Sequence, residues 1–221
     1  LCCSLEECKE LTYIANKNNL VLMETFQFQF HSQFKYIKDL IKNNKLGSIR
    51  SVDVKFGFPP FQNLKDIRYQ KSLNGGSFFD AGVYISKIAT LLFDTSNAEV
   101  LSSISNIEGY EVDIYGSCMI KTICKNTIFG SWGFDNHYSC SLEIWFSNGR
   151  IKANRIFTSK KGYYAKIVVE NKDKTFEKSF IDDQYFNMLN ELYLTLSSAK
   201  KREENYIANL KQVELMKKIF L

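Results

Sequence analysis

The sequence predicts an α+β fold in which helices cover one face of a mostly antiparallel, open-faced sheet. From residue 49 onward, apolar and polar residues alternate in several short segments, which is typical of strands with one buried and one solvent-facing side. Apolar residues at helical spacing occur mainly near the two ends of the chain. Strands grouped together, with helices gathered at the ends, indicate a sheet covered on one face.

The first 47 residues predict a helix, a strand and a second helix. Ser4 followed by Glu7 forms a capping box, and apolar residues then recur at helical spacing until two asparagines end the pattern. The apolar run LVLMETF, residues 20–26, is too short for a helix at this point. It predicts a strand buried on both faces, as in a parallel sheet. Gly47 closes the second helix.

The sheet segments follow, separated by clear turn signals. The alternating strand that begins at Ile49 ends at Pro59 and Pro60. Strict alternation over residues 138–146 leads to Asn-Gly at 148–149, the strongest short hairpin signal, since both turn residues must accept positive φ. A second hairpin is predicted about residues 172–173, and two helices finish the chain.

Composition excludes several functional classes. The 221 residues include 29 basic and 24 acidic side chains, a net charge of +5, and the densest basic run is followed at once by two glutamates, so no nucleic-acid partner is predicted. No run of about 18 apolar residues is present, so no membrane partner is predicted. The six cysteines lack the paired spacing of zinc sites, which indicates reduced thiols in a cytoplasmic protein without a metal.

The segment NGGSFFDAGVY, residues 74–84, allows two interpretations. Gly75 and Gly76 permit a sharp turn, and Ser77 with Asp80 three residues later forms a second capping box, so Asp80 could simply cap a helix. Tyr84 follows Asp80 by one helical turn and shares its face. The residue types alone therefore leave open a capped helix with a core phenol or an acid and a phenol that act together.

The segment GGSFFDAGVYISKIATLLF, residues 75–93, resembles the Gfo/Idh/MocA family of NAD(P)-dependent oxidoreductases, whose usual pattern is Gly-Gly-Gly, a few residues, then Asp-x-Gly-x-(Tyr or His). Residues 4–52 are similar to the family's run from the helix after its Glu-Lys-Pro motif into the sheet domain. The tripeptide DIR at 66–68 matches as well. The resemblance is strong over residues 4–93. After residue 93 it concerns only the order of predicted strands and helices.

The resemblance implies hydride transfer between a nicotinamide and a carbon that bears an alcohol or carbonyl oxygen. The implied site residues are Tyr84 and Asp80 for catalysis, Arg68, His31 and Gln29 for substrate binding, and Glu24 for cofactor binding. Tyr84 would be the general acid or base. Plainer roles stay open: Arg68 in a surface ion pair, His31 in the local structure and Glu24 in orienting a backbone.

The sequence departs from the family in places that matter for these roles. Gln29 and Ser32 stand in FQFHS where relatives often carry arginine and proline, and Ser77 replaces the third glycine. The lysine of Glu-Lys-Pro, which would favour a phenolate, does not occur at a matching position. No G-x-G-x-x-G followed by an acid about 20 residues later occurs either.

The resemblance therefore predicts the C-terminal part of such an enzyme. Residues 1–30 would be the last helix and strand of a Rossmann domain, and residues 31–221 a sheet domain for substrate binding and oligomerisation. The cofactor would be NAD or NADP, bound mainly outside this chain, which alone would be inactive. A sugar-like substrate and a homodimer or dimer of dimers through the uncovered sheet face are expected. The alternative is a non-catalytic, standalone ligand-binding or dimerisation module.

Overall fold

The computed structural model describes residues 1–220. It contains five α-helices and eight strands in the described residues. The helices are α1 (Leu5–Lys17), α2 (Ser32–Lys42), α3 (Val83–Leu92), α4 (Gln184–Leu196) and α5 (Ala199–Phe220). The strands are β1 (Ile49–Gly57), β2 (Glu99–Asn106), β3 (Asp113–Lys121), β4 (Thr127–Gly133), β5 (Ser139–Phe146), β6 (Gly149–Asn154), β7 (Ala165–Asn171) and β8 (Thr175–Phe180).

All eight strands form one sheet in the order β2-β3-β4-β1-β5-β6-β7-β8. Strand β1 lies parallel to β4, and every other neighbouring pair is antiparallel. Strand β1 shows the predicted alternation of buried and exposed side chains, with Val52, Val54 and Phe56 buried on the side that the helices cover. The predicted α+β class with a mostly antiparallel, open-faced sheet is confirmed.

Both predicted hairpins are present. Phe146 pairs with Gly149 where β5 turns into β6. Glu170 pairs with Thr175 across the turn between β7 and β8, and the Asn171 N–H donates to the Lys174 carbonyl at 3.0 Å. Turn chemistry is local, so these elements follow from the sequence directly.

The prediction of a strand at residues 20–26 is wrong. The segment forms no ladder in the described structure, and Leu20 is 54% exposed rather than buried on both faces. Helix α5 satisfies part of its backbone instead: the Tyr206 hydroxyl donates to the Leu20 carbonyl, and the Asn209 amide donates to the Leu22 carbonyl at 2.9 Å. A strand requires a neighbouring backbone, and here side chains of a helix take that place.

The core lies between the sheet and helices α2, α3 and α5. Its fully buried members include Phe28, Phe34, Ile85, Ile88, Ile144 and Ile151. Helix α1 packs on α5 through Cys8 and Val213 in a separate small cluster. The division of the chain at residue 30 stays a prediction. Within residues 1–220, no helix is both long and apolar enough to cross a membrane.

The opposite face of the sheet carries no helix in the described structure. Several large apolar side chains are exposed there, namely Leu101, Tyr115, Phe129 and Trp145. Phe129 pairs with Met119 on β3 and Asp53 on β1, so it stands near the middle of the uncovered face.

Candidate functional site

The glycine-opened segment is held by a carboxylate from a distant strand. Residues Phe78–Gly82 form a π-helical turn that continues into α3. Asp113, at the start of β3, accepts hydrogen bonds from the Ser77 hydroxyl at 2.6 Å and from the Phe78 N–H at 2.7 Å. A Cβ on Gly76, whose φ is +122°, would lie 2.2 Å from Asp113 Oδ1, so the glycine permits this close approach.

The predicted capping box at Ser77 and Asp80 is wrong. The Ser77 hydroxyl donates to Asp113 instead of accepting from a backbone N–H, and it forms no side-chain cap. Asp80 points into an ion pair with Arg68. The physical reason is that the Asp113 carboxylate is a stronger acceptor than a serine hydroxyl. It therefore accepts from the Phe78 N–H, which has no partner within the helix.

Replacing Asp113 should therefore loosen the site. We expect Asp113→Ala to lower the free energy of unfolding by about 2–3 kcal/mol, because the buried Phe78 N–H loses a charged acceptor. Urea denaturation followed by fluorescence measures it. The exposed neighbour Glu111 supplies the control, and Glu111→Ala should change the free energy of unfolding by less than about 0.5 kcal/mol. Equal effects of the two substitutions would contradict this account of the turn.

Asp80 and Arg68 form the charged side of the site. Arg68 Nε lies 3.1 Å from Asp80 Oδ1, and its NH1 lies 3.2 Å from Asp66 Oδ1. The guanidinium also stacks over the Phe61 ring at 4.8 Å from its centroid. Burial raises the pKa of Asp80 above its ordinary value, and the adjacent guanidinium opposes that rise. Arg68 thus opposes the protonation of Asp80 that burial favours.

Tyr84 lies in an aromatic cage one turn after Asp80. Its ring centroid is 4.9 Å from those of Phe26, Phe56 and Phe157. Burial raises the pKa of Tyr84 to about 12, and the Gln27 side chain opposes the rise through a hydrogen bond. The phenol is therefore fully protonated near neutral pH, which suits a proton donor.

A cleft of about 380 Å³ brings the predicted catalytic residues together. Its lining includes Tyr84, Asp80 and Glu24, with Phe26 and Phe79 as apolar walls. Arg68 joins this group through its ion pair with Asp80. Four of the six residues singled out in the sequence thus meet at one place, although they come from three separate segments of the chain.

His31 and Gln29 do not reach the cleft lining. His31 is fully buried and its Nδ1 accepts from the Gln33 N–H at 3.1 Å, so it caps α2. Burial lowers the pKa of His31, and the nearby Asp182 opposes the change. Gln29 lies in the short helical turn Gln27–Phe30. The structure gives His31 the structural role that was left open, and a substrate contact of either residue stays a prediction.

Lys87 is a buried partner of the cleft residue Glu24 that sequence reasoning missed. It lies one turn after Tyr84 on α3, is only 4% exposed, and its Nζ is 3.7 Å from Glu24 Oε2. Its ammonium also lies 5.3 Å from the Phe26 ring centroid. Burial lowers the pKa of Lys87, and Glu24 opposes that shift. A lysine within the otherwise uncharged helix VYISKIATLL was the available signal.

Comparison with known proteins decides the family. A family model described as the GFO/IDH/MocA C-terminal domain matches residues 34–152, more than half of the chain. This chain belongs to the Gfo/Idh/MocA family. The predicted resemblance is confirmed, and the family assignment agrees with the eight-stranded sheet and its covering helices.

Several members of the Gfo/Idh/MocA family are similar in sequence. A dTDP-3,4-didehydro-2,6-dideoxy-α-D-glucose 3-reductase from Saccharopolyspora spinosa is 31% identical over 162 residues, which cover 73% of this chain and 48% of that protein. The reductase of the same description from Actinomadura kijaniata is 29% identical over 167 residues, covering 76% and 50%. The chain thus spans about half the length of these curated relatives.

The fold is also that of solved family structures. A 3-ketoreductase from Actinomadura kijaniata, in complex with NADP and TDP-benzene, superimposes with a TM-score of 0.89 at 24% identity, covering 99% of this chain and 67% of that one. An aldose-aldose oxidoreductase from Caulobacter crescentus gives a TM-score of 0.87 at 16% identity, covering 98% and 66%. At these identities the likeness concerns the fold.

Proposed function

We propose that this chain is the substrate-binding and oligomerising part of an NAD(P)-dependent oxidoreductase that acts on a sugar, sugar derivative or related carbonyl compound. The observation that carries the proposal is the single cleft in which Tyr84, Asp80 and Glu24 meet. The relatives named as dTDP-sugar 3-reductases support a keto sugar as substrate and reduction as the direction.

Tyr84 supplies the proton in this proposal. When a carbonyl carbon is reduced, its oxygen gains negative charge and must receive a proton. A phenol with a pKa of about 12 is protonated at neutral pH and acts as general acid. Asp80, paired with Arg68 at 3.1 Å, accepts a hydrogen bond from a substrate hydroxyl and so orients the carbonyl toward Tyr84.

The dinucleotide, when bound, supplies the hydride. The glycine turn of this chain does not fit its pyrophosphate, because the space beside Gly76 holds the Asp113 carboxylate, and a Cβ on Gly75 would meet the Arg68 carbonyl oxygen at 2.5 Å. An anion is repelled there. Glu24, at the cleft, remains the proposed neighbour of the cofactor in this chain.

We accordingly expect this chain alone to bind NADH and NADPH only weakly, without turnover. A pyrophosphate site needs a glycine turn that feeds a helix N-terminus and leaves its N–H groups free, whereas here the Phe78 N–H is taken by Asp113. Calorimetric titration of the 221-residue chain measures the affinity. Micromolar binding of either nucleotide would show that the cofactor site is elsewhere than proposed.

The proposed activity is tested with the full-length protein encoded by the source gene. Absorbance of NADPH and NADH is followed with three substrate classes: dTDP-linked keto sugars, free aldoses, and diols or their ketones. We expect consumption of one nucleotide with a carbonyl sugar. A well-folded full-length protein that turns over none of these classes would favour the non-catalytic module instead.

The uncovered sheet face is the proposed oligomer interface. Exposed Leu101, Phe129 and Trp145 on one sheet face mark an interface, and an open sheet can pair with its own copy. Light scattering should give about twice the 25.6 kDa mass of one chain, or four times it. Phe129→Lys should shift the mass toward one chain, whereas Leu64→Lys, at an exposed loop position, should not. A wild-type monomer at micromolar concentration would refute the interface.

A further inference from the structure

Helix α4 presents a group of apolar side chains to solvent. Six large apolar residues of this 13-residue helix are at least half exposed, namely Tyr185, Phe186, Leu189, Tyr193, Leu194 and Leu196. Single exposed apolar residues are ordinary on a protein surface, whereas a contiguous group marks a site of interaction. Neither the proposed mechanism nor the sheet-face interface uses this helix.

The inner face of α4 is fixed to the rest of the chain. Asn187 Nδ2 donates to the Phe30 carbonyl at 3.1 Å, and the Glu191 carboxylate pairs with Lys201 of α5. Thr195 is fully buried. Residues 187, 191 and 195 follow one another at intervals of four, so they share one face of the helix. The apolar group therefore points outward in a fixed orientation.

The outward residues have the spacing of a helix–helix seam. Phe186, Leu189, Tyr193 and Leu196 are 57–71% exposed and are separated by three, four and three positions. This spacing is that of the a and d positions of two heptads, which paired helices bury against each other. We call these four residues the α4 seam. The partner that fits it best is another helix with the same repeat.

The order of residue types along the α4 seam favours a second copy of α4 that runs antiparallel. The seam is symmetric about residue 191, so a twofold axis there places Phe186 opposite Leu196 of the second copy. The same axis places Leu189 opposite Tyr193 of the second copy. Each layer then combines one aromatic ring with one leucine, and such alternation of large and small side chains fills a seam well. A parallel pair would place rings on rings and leucines on leucines.

Charge and area also favour a second copy. Glu191 is the only charged residue in the sequence of α4, and it points inward to Lys201. Two chains of net charge +5 can therefore meet here without like charges in the seam. Aromatic side chains bury roughly 150–250 Å² each, so six large side chains that are at least half exposed offer roughly 600 Å² per chain. A pair would bury roughly 1,200 Å², the lower end of the range for specific interfaces.

We propose that α4 is a second dimerisation surface, at which two copies of this chain pair antiparallel about a twofold axis near residue 191. A surface of this kind joins only two copies. If the sheet face also pairs, the two surfaces together produce a dimer of dimers. The α4 pairing depends neither on the proposed activity nor on the sheet-face interface.

Light scattering of the 221-residue chain at micromolar concentration tests the α4 surface. With both surfaces in use, the mass should be about four times the 25.6 kDa of one chain. Leu189→Glu should halve this mass, because it buries a carboxylate opposite a tyrosine. Leu64→Glu is the matched control: Leu64 is 65% exposed in a loop, and its replacement should leave the mass unchanged. Far-UV circular dichroism should show the wild-type helix content in both variants.

Phe129→Lys separates the two surfaces. This variant should retain pairs joined through α4, and its combination with Leu189→Glu should give single chains. If wild type is a pair that Phe129→Lys leaves intact and Leu189→Glu dissociates, the sheet interface is rejected and the α4 pairing stands. An unchanged mass in folded Leu189→Glu rejects the α4 pairing and leaves both the sheet interface and the proposed oxidoreductase in place.

Two complementary variants test the antiparallel register. In the Phe129→Lys background, Leu189→Glu and Tyr193→Lys should each give single chains. Their equimolar mixture should recover about twice the mass of one chain, because the introduced carboxylate then faces the introduced ammonium across the seam. The other central layer keeps its tyrosine and its leucine. Single chains in the mixture would overturn the antiparallel pairing.

The full-length protein shows whether another part of the same protein covers α4. Leu189→Glu should halve the mass of the full-length protein as well. If Leu189→Glu changes the mass of the 221-residue chain but not that of the full-length protein, the α4 seam belongs to a contact within the longer protein. That result would overturn the proposal.

Discussion

Replacing Tyr84 with phenylalanine should lower kcat of the full-length enzyme by about 10²–10⁴, the usual contribution of a general acid. The substitution removes one oxygen and leaves the ring contacts with Phe26, Phe56 and Phe157 in place, so the fold should persist. Steady-state kinetics with the best carbonyl substrate measures the effect. The wild-type rate should also fall as pH rises through the pKa of about 12, because the proposed proton donor is the protonated phenol.

A second buried tyrosine provides the matched control. The Tyr69 hydroxyl accepts from the Phe61 N–H at 3.0 Å, and the residue is 6% exposed, but it does not line the cleft. Tyr69→Phe should lower the free energy of unfolding by about 1 kcal/mol and leave kcat nearly unchanged. Should Tyr84→Phe behave in the same way, Tyr84 would be a core residue and the catalytic proposal would fail.

Removing the buried lysine should have the largest effect on stability. Lys87→Met removes the buried ammonium beside Glu24 Oε2 and leaves that carboxylate paired only with the N-terminal ammonium of Leu1, 3.0 Å from Oε1. We expect the free energy of unfolding to fall by about 2–4 kcal/mol, since a largely buried carboxylate loses one of its two cationic partners. Urea denaturation of the 221-residue chain measures this loss.

A double-mutant cycle isolates the ion pair from the packing of the lysine stem. Lys87→Met combined with Glu24→Gln should be more stable than Lys87→Met alone, because the largely buried carboxylate that lost its lysine is replaced by a neutral amide. Lys211→Met, at an exposed position of α5, should change the free energy of unfolding by less than about 0.5 kcal/mol. A loss below about 1 kcal/mol in Lys87→Met, with additive single effects, would show that the two charges do not depend on each other.

The sequence by itself determined the elements whose signals are local. Alternating strands, the hairpins at 148–149 and 172–173, and the helix that carries Tyr84 all follow from spacing and turn chemistry over fewer than about ten residues. The shared face of Asp80 and Tyr84 follows in the same way, because a separation of four is one helical turn. The resemblance to the family added the catalytic roles of Asp80 and Tyr84 as hypotheses.

The tertiary structure decided which groups satisfy one another across the chain. Asp113 binds Ser77 from 36 positions away, Lys87 neutralises Glu24 from another segment, and the carbonyls of residues 20–26 find donors on α5 instead of a neighbouring strand. Local sequence patterns do not predict such partners. A buried donor or charged group interacts with whichever acceptor or opposite charge the fold places within about 3–4 Å. Tertiary packing therefore decided the cap at Ser77, the buried ion pair of Lys87 and the absence of a strand at residues 20–26. No single stretch of the sequence reveals that packing.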